Sequence, residues 1–260
     1  MTEKDFLRIS IEDGVALVTI DRPPLNILGF SQYENLCETV IHLIETRQAR
    51  AVVLTGTKKA FISGLNISEI LKITTSEENN EKTLRIKNCF RKVEQLRRPV
   101  IAAIDGNCFG GGLELSISCH IRIASKEAKL AVPEINLGTI PSFGGTQRLP
   151  RILGRAKALE LILTGKLISG EEAFHIGLVN EVCPSEELLA RATDLARQIA
   201  SKSPQAVEAA TRAATEGLEM EFDRGIELES HVSSALTGTY NLKEGITSFF
   251  ERRKPAFRYD

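Results

Sequence analysis

Tryptophan is absent, and aromatic residues make up only 5% of the 260-residue chain. That leaves too little material for a carbohydrate cleft walled by stacked rings. Cysteine is sparse and odd in number, at Cys37, Cys89, Cys108, Cys119 and Cys183, and no CxxC pair occurs. No disulfide framework is expected, only reduced thiols buried as small hydrophobes in a cytoplasmic protein. His42, His120, His175 and His231 are dispersed without HxxxH or HExxH spacing, so no metal site is expected. Neither sign of charge is in excess: 33 Lys+Arg face 34 Asp+Glu, a formal charge of -1. Without a positive field, neither nucleic acid nor a membrane surface is an expected partner, although a local basic pocket for one anionic ligand is compatible. No apolar run is long enough to span a bilayer. The N-terminus, Met-Thr-Glu-Lys-Asp-Phe, carries both signs of charge and reads as neither a secretory signal nor a transit peptide.

What is present is an ordinary globular composition, with 42% hydrophobic residues. A unit of this size buries roughly 70–75% of its unfolded surface and needs no staple. Short apolar runs predict strands at 15–20, 51–54, 100–104, 121–124 and 130–132. Helical spacing predicts helices over 30–46 and 82–96. Strand–helix alternation of this kind predicts an α/β core over residues 1–200. From Arg155 onward the pattern is almost wholly helical, at 155–163, 170–176, 185–201, 204–216, 219–236 and 240–251, so residues 201–260 form a helical C-terminal region. The polar stretch 74–82 reads as a mobile surface loop.

Four segments could carry chemistry. The run Gly106-Asn-Cys-Phe-Gly110-Gly111-Gly112-Leu-Glu114 follows a buried strand and precedes a helix. Three consecutive glycines are costly in regular structure, so something requires bare backbone there. Helix-terminal N–H groups suit an anion or a developing oxyanion. Glu114 is then either an acid serving the same ligand or a first-turn residue complementing the helix dipole. The run from Val132 to Pro150, rich in glycine and proline, predicts an irregular positioned loop. Glu134 is the only acid between Glu127 and Glu160. It either faces solvent, the reading favoured on its own, or is a buried carboxyl with a raised pKa. The run Ala60-Phe-Ile62-Ser63-Gly64-Leu65-Asn66-Ile67 suits a tight turn opening a helix. The run Phe249-Phe-Glu-Arg252-Arg-Lys-Pro places cations between aromatics, as a solvated helix end or a phosphate-contacting one.

Taken together and in this order, the segments resemble the enoyl-CoA hydratase/isomerase (crotonase) family. The resemblance runs from Arg22-Pro23-Pro24-Leu25-Asn26 to Arg252-Arg253-Lys254-Pro255. Its most specific parts are Phe109-Gly110-Gly111-Gly112-Leu113-Glu114, Pro133-Glu134-Ile-Asn-Leu-Gly138 and Gly144-Gly145-Thr146-Gln147-Arg148-Leu149. It implies an α/β fold, a crotonase-like spiral of ββα units with an α-helical C-terminal region that builds homotrimers or homohexamers. It also implies an acyl-CoA ligand, with no cofactor beyond the coenzyme A of the substrate. By position, the backbone N–H groups of Leu65 and Gly111 would form the oxyanion hole, and Glu114 and Glu134 match the two hydratase glutamates. Substrate contacts would come from Leu25, Ala60, Ile62, Ser63, Gly64, Asn66, Ile67, Gly110, Pro133, Ser142, Phe249 and Arg252.

The chain departs from the family pattern at several positions. Leu65-Asn66 stands where Ala-Asp is common, and Ser68 where a CoA-contacting Lys is common. His120 replaces a usual Asp and reads as structural. Ser142 is not the Asp of dienoyl-CoA isomerases. The implied activity is hydration of a 2-enoyl-CoA to the 3-hydroxyacyl-CoA. The alternatives are Δ3-Δ2 isomerisation, hydration of a cyclic dienoyl-CoA, or a non-catalytic acyl-CoA-binding subunit, and retention of both glutamates argues against the last.

Overall fold

A computed structural model describes residues 6–259; residues 1–5 of the charged N-terminal stretch lie outside them. Strands β1 (Leu7–Glu12) and β2 (Val15–Ile20) form a hairpin, followed by helix α1 (Phe30–Glu45). The hairpin turns on Asp13-Gly14, both at positive φ (53° and 76°), the geometry that matches strand twist.

Each later circuit lays one strand in a large sheet and the next in a small one. The first is β3 (Ala51–Thr55) and β4 (Ala60–Ile62), then α2 (Ile67–Ile70) and α3 (Ser76–Glu94). The second is β5 (Val100–Ile104) and β6 (Asn107–Phe109), then α4 (Gly111–Ser116). The third is β7 (Ile121–Ser125) and β8 (Lys129–Ala131), then a 3₁₀ turn (Pro133–Leu137), α5 (Gly145–Leu153) and α6 (Arg155–Thr164). After β9 (Ile168–Ser169), α7 (Gly170–His175) and β10 (Glu181–Cys183) come α8 (Ser185–Ala200), α9 (Pro204–Gly217), α10 (Phe222–Ser234) and α11 (Tyr240–Phe250).

The large sheet has the order β1-β2-β3-β5-β7-β10, parallel except for the β1–β2 hairpin. Strands β3 and β5 are buried along their whole length, so Val, Ile, Leu and Ala fill them without alternation. On one face α8 packs through Leu188, Ala192, Ala196 and Ala200, four apart, against Val53, Ile101 and Ile123. On the other face Tyr33, Leu36, Phe90 and Val93 of α1 and α3 join the main core.

The small sheet, β4-β6-β8-β9, carries the functional consequence. Parallel registers Ile62↔Cys108 and Phe109↔Ala131 place the chain segments leaving β4, β6 and β8 side by side. The carboxyl ends of parallel strands are where ligands meet α/β sheets.

Three expectations are corrected. Residues 74–82 are not a loop, since α3 starts at Ser76. The Thr75 side chain accepts from the Glu78 N–H at 3.1 Å, Glu77 and Glu78 complement the dipole, and Glu78 pairs with Lys82 at 2.9 Å. These local interactions organise a stretch that has almost no apolar content. The 132–150 segment is not wholly irregular. It contains the 3₁₀ turn and α5, the latter entered through Gly144 at φ 109°. The helix expected over 219–236 spans Phe222–Ser234.

One buried side chain ties the early loop to the small sheet. Asn26 is 1% exposed. Its Nδ2 donates to the carbonyls of Ile20 (3.0 Å), Ala60 (2.8 Å) and Phe61 (3.1 Å), and its Oδ1 accepts from the Arg22 N–H at 2.7 Å. Asn26→Ala takes the Nδ2 donor from all three carbonyls, of which Ala60 O keeps the Thr57 N–H at 2.9 Å. Urea denaturation should show a loss of roughly 2–4 kcal/mol. A loss below about 0.5 kcal/mol, the size of an ordinary surface change, would contradict the clamp.

Candidate active site

The segment after β4 is pinned from one side only. Ser63 N–H donates to Leu25 O (3.3 Å), Leu28 N–H to Gly64 O (3.1 Å) and Asn66 N–H to Leu28 O (2.8 Å). In this parallel bridge Leu28 engages the residues flanking Leu65, so the Leu65 N–H points to the opposite edge. Among the described residues it meets no protein acceptor. Asn66 then caps α2, accepting from the Ser68 N–H at 3.2 Å and the Ser68 hydroxyl at 2.9 Å.

The glycine triplet after β6 is demanded three times over. Gly110 sits at φ 52° with its N–H on Ala131 O (3.0 Å), and a Cβ there would lie 2.6 Å from Glu134 Oε1. At Gly111 a Cβ would meet the Tyr33 hydroxyl at 2.7 Å, and at Gly112 the Ile62 carbonyl at 2.3 Å. The first intrahelical bond of α4 is Glu114 N–H to Gly110 O at 2.9 Å. The Gly111 N–H therefore precedes the helical ladder, and among the described residues it too has no protein acceptor. The Tyr33 hydroxyl beside it is fully buried without a partner, and burial and then the Glu114 charge hold it in its neutral form.

Glu114 is 1% exposed. Its Oε1 accepts from the N–H groups of Phe143 (2.7 Å) and Gly145 (2.8 Å). The glycine- and proline-rich segment thus folds around this carboxyl instead of leaving it to the dipole of α4. Burial and then the charge of Glu134 push its pKa up to about 8, against the pull of those two N–H bonds and of Arg148. Glu134, in the 3₁₀ turn after β8, does not face solvent freely. Its carboxyl adjoins Gly110, its Oε2 is buried without a partner, and burial pushes its pKa up to about 7.

Both carboxyls open on one cavity of about 360 Å³. Ser63, Gly64, Leu65, Ile67, Gly110, Gly111, Pro133 and Ser142 also line it. Leu25, Ala60, Ile62 and Asn66 do not; they hold the backbone behind its wall. Phe249 and Arg252, at the end of α11, are exposed and do not line it either. Sequence reasoning missed Phe30 and Phe143, which form an apolar wall in edge contact at 6.1 Å, and the α3 residues Asn79, Asn80, Thr83 and Lys87. The signal for these last was the spacing of polar residues 79, 83 and 87 on one helix face.

A larger cavity, about 430 Å³, lies around Arg122, Arg148 and Leu218 and contains neither glutamate. Its Arg148 is paired with Glu94 at 3.0 Å, and its Arg122 donates to the Leu178 (2.8 Å) and Cys119 (2.7 Å) carbonyls. His120, on the same wall, accepts from the Val100 N–H at 3.1 Å and reaches Leu96 O at 2.9 Å, a link within the backbone frame. Among the described residues no group of His, Cys, Asp or Glu could hold a metal ion, and no helix is long and apolar enough to cross a membrane.

Residues 10–260 match the family model for enoyl-CoA hydratase/isomerase. A short-chain-enoyl-CoA hydratase of Clostridium acetobutylicum is 39% identical over 245 residues, covering 94% of each chain. A crotonyl-CoA hydratase of Syntrophomonas wolfei is 37% identical over 248 residues, covering 95% of each. The crystal structure of an enoyl-CoA hydratase from Bacillus anthracis superposes with a TM-score of 0.92 at 35% identity, covering 98% of this chain and 100% of that one.

The raised carboxyl pKa values make stability fall with pH. Between the usual 4.5 and about 8 the folded state binds more protons than the unfolded chain, so stability declines across that window. Glu114→Gln removes one titration and keeps an oxygen for both N–H donors. Its melting temperature should gain on the parent by on the order of 5 °C between pH 5 and pH 9, read by calorimetry. A gap that stays constant with pH would show that Glu114 titrates normally.

Proposed function

The chain belongs to the enoyl-CoA hydratase/isomerase family, and we propose that it adds water reversibly across the 2,3-double bond of a 2-enoyl-CoA thioester, giving the 3-hydroxyacyl-CoA. It is a hydro-lyase of the enoyl-CoA hydratase type. The observation that carries the mechanism is the meeting of two raised carboxyls and two unmatched N–H groups on one cavity.

In this reading the thioester oxygen accepts from the N–H groups of Leu65 and Gly111. When oxygen adds to C3, negative charge moves onto that thioester oxygen. One such donor is typically worth ~2.7–4 kcal/mol of barrier. Water needs a base, and C2 needs an acid. Glu114 takes the proton of water as the C3–O bond forms, and Glu134 gives its own proton to C2. The net addition is one water, and a proton passing from Glu114 to Glu134 resets the pair.

The hydrogen bonds support this division. The value near 8 at Glu114 includes repulsion from an ionised Glu134. With Glu134 protonated that repulsion vanishes, and the two N–H bonds on Oε1 favour Glu114 as the anion. Glu134, with Oε2 buried and unpartnered, is better kept neutral. The proton belongs to the pair, so acid and base coexist over the range between the two titrations.

Leu218, Phe222, Phe249 and Phe250 are 88, 80, 78 and 78% exposed, which supports an assembly in which another copy covers them. In a homotrimer or homohexamer, Phe249 and Arg252 would serve a neighbouring site.

Crotonyl-CoA in ¹⁸O-labelled water should yield 3-hydroxybutyryl-CoA carrying the label at C3. Glu114→Gln and Glu134→Gln should each lower kcat by roughly 10²–10⁴-fold with thioester binding retained. Conversion of a 3-enoyl-CoA without label, and no hydration of crotonyl-CoA, would make the protein an isomerase. The pH profile of kcat/KM should be a bell, rising through about pH 7 and falling above about pH 8. A profile flat from pH 5 to 9 would contradict the shared proton.

A further inference from the structure

Helix α3 presents to the cavity a polar wall that the addition of water does not require. Asn79, Asn80, Thr83 and Lys87 line it. Residues 79, 83 and 87 recur every four positions and so share one face of the helix.

Lys87 differs from the other cations of this helix. Lys82 is paired with Glu78 at 2.9 Å, Arg85 with Glu34 at 2.7 Å and Arg91 with Glu94 at 3.0 Å. Lys92 is exposed to solvent. Lys87 is half-buried, borders the cavity, and has no ion-pair partner among the described residues.

Its place follows from the aromatic wall. Phe143 donates its N–H to Glu114 and packs edge-on against Phe90 of α3 at 5.9 Å. Lys87 also borders a second cavity of about 310 Å³, and Phe143 lines both. In the hydratase reading, with the thioester oxygen at Leu65 and Gly111 and C2 and C3 at the glutamates, the α3 wall of the same cavity is left to the acyl tail.

We propose that the α3 wall is the acyl-tail subsite and that it selects 2-enoyl-CoA thioesters whose tail ends in a carboxylate, with Lys87 as the cationic contact and Asn79 and Asn80 as amide donors. The proposal rests on the hydratase reading for the direction of the chain. An alkyl tail would leave a partly desolvated ammonium unmatched, whereas a carboxylate forms a charge-assisted hydrogen bond with it. Lys87 also offsets the repulsion such a tail meets from whichever glutamate is ionised.

The test compares trans-glutaconyl-CoA with trans-2-pentenoyl-CoA, which has the same number of acyl carbons and a methyl end. The parent should favour glutaconyl-CoA by roughly 10–100-fold in kcat/KM, the range a hydrogen bond to a charged group supports. Lys87→Met should lower that ratio by on the order of tenfold, and Lys87→Arg should keep most of it. A parent ratio near one, or a Lys87→Met variant that slows both substrates equally, would overturn the subsite. Calorimetry with saturated glutaryl-CoA and pentanoyl-CoA reads the same preference without turnover. If neither enoyl substrate is hydrated but glutaryl-CoA still binds more tightly in a Lys87-dependent way, the hydratase reading fails and the subsite stands. Hydration of both substrates with no charge preference overturns the subsite alone.

Discussion

Two carboxyl groups kept out of water on one cavity are the constraint on which the rest of this structure depends. Burial alone favours protonation of both. Two N–H bonds on one oxygen of Glu114 pull the other way and make it the better anion once Glu134 is neutral. The outcome is a single proton shared by a pair, which gives an acid and a base together near neutral pH. Neither residue would have this property on an open surface, where each would titrate near its usual 4.5.

The fold maintains this arrangement by bringing distant segments to one edge. Three short parallel strands, β4, β6 and β8, deliver Leu65, Gly111 and Glu134 in register. Bare backbone at Gly110 is what lets the Glu134 carboxyl lie beside α4, and bare backbone at Gly145 does the same for Glu114, whose Oε1 lies 2.9 Å from a would-be Cβ. Asn26 closes the frame from behind by satisfying carbonyls in β4. The cost of the buried acids is distributed over these supports, as is usual where function conflicts with stability.

Much of this was legible in the residues. The all-buried strands β3 and β5 announced themselves as short apolar runs, and the C-terminal helices α8, α9 and α11 follow the spacing and proline and glycine signals closely. The glycine triplet pointed to close packing, but not to what packs there. Tyr33, Ile62 and Glu134 come from three separate parts of the chain. The environment of Glu134 was not legible either, because a lone acid among apolar neighbours favours solvent until the opposing wall is known, and here that wall buries it. Residues 74–82 misled because helix formation there rests on a threonine cap and charge pairs instead of apolar periodicity. The polar face of α3 was hidden for the same reason.

The most direct measurement is a carboxyl titration of the folded protein by ¹³C NMR, with glutamate labelled at Cδ and the Glu114→Gln and Glu134→Gln variants used for assignment. Two resonances should titrate well above the usual 4.5, near 7 and 8, with the Glu114 midpoint falling when Glu134 is replaced. Two independent titrations near 4.5, unmoved by the loss of the other residue, would contradict a shared proton and the catalysis built on it.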